Sequence, residues 1–367
     1  MWDVIVVGAG PAGAMAAYEL ARNGCRTLLL EKEKLPRYKT CGGALVERSL
    51  SALPFAISEV VERRITSIRL TNNFQDPVLI QKEHPLVMMT MRSSLDEYLT
   101  NKAIESGAEI RENVRVNGIT ENDGGVECNT GSGIFTSRFL IGADGVNSAV
   151  TKSLHGRTPE CGVALEVEVS LKPNIEINDQ VDFDFNVLPE GYGWVFPKAN
   201  HLSCGVFTLK RNCPEIRRHY DHYIQRKVFG NNITEAKLSG HLIPLRPVSH
   251  QLNTKRCMLV GDAAGLADPL TGEGISFAIR SGVMAATAIL TRNSDLDQYS
   301  VEIRRNIRKE MKLALLLARI LYSTPSFLYR ALARKHFFAD SILDLFAGKT
   351  TYRNLVKSVL LKPYKLL

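Results

Sequence analysis

The stretch Asp3-Val4-Ile5-Val6-Val7-Gly8-Ala9-Gly10-Pro11-Ala12-Gly13 decides the fold. Val4 to Val7 is a continuous apolar run, the pattern of a strand covered on both faces. The glycines follow at once, and a helical stretch runs from them to Asn23. A second apolar run, Thr27 to Leu30, ends on Glu31. A G-x-G-x-x-G that leaves a strand, opens a helix and has an acid at the tip of the next strand is a dinucleotide fingerprint. Gly8 permits the tight turn, Gly10 admits a pyrophosphate to the backbone, and Gly13 lets helix and sheet pack closely. The helix start, with Pro11 and Ala12 in its first turn, offers free N–H groups and partial positive charge to phosphates. Glu31 suits both hydroxyls of an adenosine ribose and repels a 2′-phosphate.

Three later segments extend the pattern. Met91-Arg92-Ser-Ser-Leu95-Asp96 starts an amphipathic helix with Leu95, Leu99 and Ala103 at core spacing. Phe139 to Ser148 reads as a strand, an Asp144-Gly145 turn and a helix start. Met258-Leu-Val-Gly261-Asp262 is a strand ending in Gly-Asp, followed by Pro269-Leu-Thr-Gly272-Glu-Gly274-Ile275 and a helix. Taken in this order, the segments resemble flavoprotein hydroxylases and reductases of the p-hydroxybenzoate hydroxylase type. The resemblance implies FAD, with Asp262 at the ribityl chain and Gly272, Gly274 and Ile275 at the isoalloxazine edge. It places Arg92 near the ribityl-phosphate region and gives Asp144 a structural or pyrophosphate role.

Two further motifs narrow the family. Leu35-Pro-Arg37-Tyr-Lys39-Thr-Cys41-Gly42-Gly43 follows the adenosine acid, and Gly191-Tyr192-Gly-Trp194-Val-Phe196-Pro197-Lys198 lies mid-chain. Together they resemble the geranylgeranyl reductase family over roughly residues 2 to 300. The resemblance implies flavin-dependent reduction of C=C bonds in an isoprenoid chain. Cys41 and Tyr192 are then rival proton donors, and Tyr192, Trp194 and Phe196 contact substrate. Lys32, Arg37, Cys41 and Gly42 join the cofactor contacts. NAD(P)H or a ferredoxin, the latter a redox partner protein, would supply electrons. Read physically, Tyr192, Trp194 and Phe196 form one aromatic stripe on a strand, either a pocket wall or plain sheet core. Val181, Phe183, Phe185 and Val187 alternate with Asp182, Asp184 and Asn186 in a neighbouring strand. An FAD-dependent monooxygenase or flavin halogenase of the same fold remains an alternative, as does a non-catalytic prenyl-binding chaperone.

Composition bounds the rest. The chain has 367 residues, 45% apolar and 23% charged, with net charge +8, which excludes a disordered chain and a disulfide-stapled module. From Ile303 to Leu367 there are 14 basic and 3 acidic side chains, a net +11. The remainder holds 32 basic and 35 acidic, a net −3. The basic tail reads as helices over 303–321, 326–335 and two shorter ones to Leu361. It either docks peripherally on an anionic bilayer at the cytoplasmic membrane face or simply caps the domain. No nucleic-acid-reading motif is found, nor a membrane-spanning run. Seven scattered cysteines (25, 41, 128, 161, 204, 213 and 257) form no C-x-x-C pair, so no metal site is expected and a cytoplasmic setting is. The expected fold is α/β. Residues 1–64, 90–160 and 251–300 would form a discontinuous Rossmann-like FAD-binding domain. Residues 65–89 and 161–250 would form an inserted, mostly antiparallel β-sheet substrate domain, and 301–367 a basic helical C-terminal region.

Overall fold

Trp2–Val7 forms the interior of a seven-stranded sheet because both its faces are apolar. It runs parallel to Thr27–Leu30 on one side and to Gly133–Gly142 on the other. Glu109–Arg111 extends the sheet beyond Thr27–Leu30, and Cys257–Leu259 pairs parallel with Gly133–Gly142. Gly125–Thr130 and Val116–Asn122 add an antiparallel edge. Val4, Ile5, Val6, Leu28, Leu29, Leu140, Ile141, Met258 and Leu259 are fully buried, each contributing roughly 1.5–3 kcal/mol on burial. The helices Pro11–Arg22 and Ile275–Leu290 pack tightly together, and a Cβ at Gly282 would lie 2.2 Å from the Ala12 carbonyl oxygen. This computed structural model describes residues 1–171, 177–227, 233–247, 249–291, 296–324, 329, 340–341, 343–345 and 349–361.

A second seven-stranded sheet runs in the order Ile233–Arg246, Glu160–Leu171, His201–Thr208, Gly191–Pro197, Gln180–Phe185, Ser67–Asn72 and Gln75–Gln81. All its pairings are antiparallel except that of Gln180–Phe185 with Ser67–Asn72. Ala44–Val46, Val87–Met89 and Arg63–Ile65 form a small antiparallel sheet between these layers in the sequence. Val181, Phe183 and Phe185 share a face, as the alternation predicts. Val187 does not join them. Asn186 takes φ +60, which ends the strand, and Val187 packs instead with Leu188, Val206 and Tyr223. The alternating acids are not solvated either. The helix Ile216–Lys227 covers them, with Tyr223 Oη donating to Asp184 at 2.6 Å and Lys227 Nζ 2.9 Å from it.

The tail is more embedded than its charge suggests. Asp297–Ile303, a π-helical turn over Arg304–Arg308 and Lys309–Leu321 run on from one another. They bury Ile303, Ile307 and Met311 in the core of the first sheet, and Ala318 and Tyr322 against the second. The helix Tyr352–Leu361 follows, while the helix read over 326–335 falls almost wholly outside the described residues. Among the described residues no helix is long and apolar enough to cross a membrane, and no His/Cys/Asp/Glu cluster suits a metal.

Candidate active site

The glycine loop divides its labour. Gly8 has φ +101, and a Cβ there would sit 2.4 Å from the Ala143 carbonyl oxygen; one at Gly13 would sit 1.8 Å from that of Gly8. Both spaces are filled by the protein itself. A Cβ at Gly10 would meet only Arg92 Nη2, at 3.9 Å, so the room beside Gly10 belongs to the cavity. Gly10 gives the helix no side-chain cap and Pro11 occupies its first turn, leaving backbone N–H groups for an anion. Glu31 is buried and accepts from Ala9 N–H at 2.8 Å and Glu33 N–H at 3.2 Å. From it an ionic chain leads inward. Arg37 Nε lies 3.4 Å from Glu31, and Arg37 Nη1 reaches Asp96 at 3.0 Å. Asp96 in turn takes two bonds of 2.8 Å from Arg92.

Of the expected cofactor contacts, Gly8, Gly13, Glu31, Lys32, Arg37 and Asp144 are not on the cavity lining. Lys32 is exposed, pairs with Glu33 at 3.7 Å and is absent from the cavity lining. Asp144 caps the helix Ala149–His155, accepting from Ser148 Oγ at 2.5 Å and Ala149 N–H at 2.7 Å. These bonds are structural, and its neighbours Ala143 and Gly145 line the cavity.

Asp262 follows the strand Cys257–Leu259, with Lys39 Nζ 3.4 Å away. Burial pushes its carboxyl upward, but the charges of Lys39, His241 and Arg92 hold it below the usual range. Burial, then the Lys39 charge, pushes His241 down to about 4. Gly274 begins the helix Ile275–Leu290 without a side-chain cap, and a Cβ there would lie 3.4 Å from Asp262 Oδ1. Glu273 serves that helix instead, accepting from Ser276 N–H at 2.6 Å and Arg48 Nη2 at 2.9 Å.

The aromatic stripe supplies the apolar wall. Ring centroids lie 6.2 Å apart for Tyr192 and Trp194, 6.2 Å for Trp194 and Phe196, and 5.1 Å for Phe183 and Phe196. Tyr192 Oη donates to the Thr271 carbonyl, tying this wall to the loop that carries Gly272 and Gly274. Cys41 Sγ accepts from Gly43 N–H at 3.4 Å. Gly10, Pro11, Ala12, Arg92, Asp262, Gly272, Gly274 and Ile275 share one cavity with Cys41, Gly42, Tyr192, Trp194 and Phe196. The uncapped helix start after Gly10, an acidic acceptor at Asp262 and the space beside Gly10 together fit a flavin dinucleotide. The sequence reading gave no role to two buried residues here. Lys198 ends the aromatic motif, and Glu166 lies in the alternating run Leu165-Glu166-Val167-Glu168-Val169.

Residues 1–312 match the FAD binding domain family. The chain is 30% identical to the chloroplastic geranylgeranyl diphosphate reductase of Arabidopsis thaliana, over 95% of this chain and 79% of the relative. It is 28% identical to digeranylgeranylglycerophospholipid reductase 3 of Methanosphaera stadtmanae, over 88% and 87%. A geranylgeranyl bacteriochlorophyll reductase-like protein from Thermoplasma acidophilum superposes with TM-score 0.82 at 22% identity, covering 100% and 99%. The halogenase PltM with phloroglucinol and FAD superposes with TM-score 0.71 at 19% identity, covering 96% and 85%. These two likenesses establish a shared fold. With the FAD-domain match spanning most of the chain and a named relative aligned along nearly all of it, the chain belongs to the geranylgeranyl reductase family and is an FAD-dependent oxidoreductase.

Proposed function

We propose that the protein saturates C=C bonds of a geranylgeranyl-type chain carried on an isoprenoid lipid. The observation that carries this reading is the single cavity whose lining runs from Gly10 and Asp262 to Val181, Phe183, Trp194, Phe196 and Phe207. An apolar chain laid against that wall gains about 25 cal/mol for each Å² withdrawn from water. Relatives named for geranylgeranyl diphosphate and for digeranylgeranylglycerophospholipid support the substrate class.

When bound and reduced, the flavin supplies the hydride equivalent. The protein holds the alkene in line, excludes water and delivers a proton to the second carbon. An unactivated alkene accepts hydride poorly, so proton transfer leads. The positive end of the helix Ile275–Leu290, begun by Gly274 on the cavity lining, would favour negative charge on the bound cofactor. Cys41 and Tyr192 lie at the reacting centre in this reading, and NAD(P)H or a ferredoxin-type partner supplies electrons.

The test is anaerobic incubation of the reduced holoenzyme with a geranylgeranyl compound. Mass spectrometry should find a product heavier by H2 for each bond reduced, with the flavin reoxidised in step. No such product, with the flavin still reduced, sinks the reading. Substrate-dependent oxygen consumption would favour a monooxygenase or halogenase. A colourless protein that FAD cannot reconstitute would favour a prenyl-binding chaperone.

A further inference from the structure

The strand Glu160–Leu171 turns alternate side chains to opposite faces of the second sheet. Val167 and Val169 pack toward the helix Ile216–Lys227, whereas Ala164 and Glu166 line the cavity. Glu166 is 1% exposed. It faces the cavity because of a local register: Glu166 and Trp194 both pair with Gly205, from opposite sides. With no side chain at Gly205, the Trp194 ring lies over that position, and a Cβ there would meet it at 2.4 Å. Acid and aromatic wall are thereby brought together.

Ser203 Oγ donates to Glu166 Oε1 at 2.9 Å, and Ser203 Oγ accepts from Trp194 Nε1–H at 3.3 Å. The backbone N–H of Cys41 also bonds the carboxyl. Among the described residues its hydrogen-bond partners are the Ser203 hydroxyl and a backbone N–H, and no carboxylate or carbonyl oxygen holds the carboxyl. The charged and titratable groups near it are Glu168 on its own strand, Lys198, and Tyr38 and Cys41 of the preceding loop, with Cys204 behind it on the opposite face of the sheet. Burial first, then Glu168, pushes its pKa up to about 7 against Ser203 and Lys198, so much of it stays protonated at neutral pH.

We propose that Glu166 is the acid that protonates the alkene of the bound isoprenoid chain, a role that rests on the reductase reading above. Its O–H bond breaks as the π pair of the alkene forms a C–H bond with the proton. The hydride equivalent from the reduced cofactor closes the other carbon, so the cofactor loses two electrons and the alkene gains H2. The carboxylate is reprotonated from water through the cavity mouth. The other two donors are less free. The Tyr192 hydroxyl proton is committed to the Thr271 carbonyl, and Cys41 Sγ sits over the Gly43 N–H.

Glu166→Gln separates this from a positioning role, because its amide oxygen still accepts from Ser203 and the Cys41 N–H but has no acidic proton. The holoenzyme variant should keep its flavin and bind the geranylgeranyl compound within about threefold of wild type. Its anaerobic single-turnover rate should fall about 10²- to 10⁴-fold, and Glu166→Asp should recover part of it. A second readout needs no turnover. In a Trp2→Phe background Trp194 is the only tryptophan left. Its fluorescence should titrate with a midpoint near 7, and that titration should vanish in Glu166→Gln. Wild-type turnover in Glu166→Gln, or an unchanged titration, overturns the proposal. Should the wild-type enzyme reduce no prenyl chain, the reductase reading falls first and takes this role with it. Should Glu166→Gln not fold, an undiminished rate and unshifted pH profile in Glu166→Asp would overturn it instead.

Discussion

Lys198 Nζ donates to the carbonyl oxygen of Gly42 at 2.7 Å, across 156 residues of sequence. The same ammonium reaches the Thr90 carbonyl at 2.7 Å, and Lys198 is fully buried. No carboxylate forms an ion pair with it within 4.0 Å among the described residues, so two carbonyl dipoles hold a buried charge. Its pKa is lowered by burial, against the pull of Cys41, Glu168 and Glu166. The loop above it is equally constrained: Gly43 has φ +65, and a Cβ there would lie 1.9 Å from the Thr90 oxygen.

This clamp is what fixes the backbone of Cys41 over the cavity. Lys198→Met should leave two buried carbonyls without a donor, offset in part by removing a desolvated charge. The expected cost is about 1–3 kcal/mol in urea unfolding, with faster alkylation of Cys41. An unchanged alkylation rate would remove Lys198 from the positioning of that loop.

The glycines of the first loop should separate stability from cofactor affinity. Gly13→Ala forces a Cβ against the Gly8 carbonyl and should cost more than about 3 kcal/mol. Gly10→Ala meets nothing closer than 3.9 Å in the protein. It should leave the unfolding midpoint of the flavin-free protein in place while weakening FAD binding at least tenfold by fluorescence titration. Equal effects of both substitutions on stability would contradict this division.

Much of this was legible from the chain alone, because the relevant groups are close in sequence. The glycine spacing, the acid at the second strand tip and the two-residue period of Tyr192, Trp194 and Phe196 are all local signals. The capping bonds of Asp144 were not, since an Asp-Gly turn does not reveal that Ser148 Oγ and Ala149 N–H donate to it. Glu166 and Lys198 were hidden for a different reason. Glu166 meets Trp194 only through the register of three strands at Gly205, and Lys198 meets Gly42 only through tertiary packing. The burial of the tail was hidden as well, because Ile303, Ile307 and Met311 are thinly spread among the six basic residues from Arg304 to Arg319.

His241 should leave a signature in the pH dependence of stability. Its folded pKa of about 4 lies below the ordinary 6.5 because burial and Lys39 disfavour the imidazolium. Between those values the unfolded chain binds more protons, so stability rises with pH and is lost as pH falls from about 6.5 toward 4. The full difference is roughly 3 kcal/mol. Glu166 slopes the other way, because a carboxyl raised to about 7 loses stability as pH rises from its ordinary 4.5 toward 7. The two windows overlap, so total stability will look flatter than either. Subtracting the His241→Gln stability curve from wild type isolates the histidine, and a flat difference across that window would contradict the assignment.

The tail makes the last prediction, which follows from its packing as much as from its charge. Arg305, Lys309, Lys312, Leu316, Arg319 and Ile320 are exposed on helices whose other faces are buried. Basic and apolar side chains on one exposed flank suit an anionic lipid surface, with about 1 kcal/mol for each basic residue near it. Truncation at 303 is the wrong experiment, since it removes Ile307 and Met311 from the core and the Tyr322 and Tyr352 bonds to Leu270 and Asp268. Lys312→Ser with Arg319→Ser spares all of those contacts. The pair should weaken binding to phosphatidylserine-containing vesicles roughly 30-fold at low salt, with the unfolding midpoint unchanged. Equal binding of variant and wild type would leave the tail as a cap over the domain rather than a lipid contact.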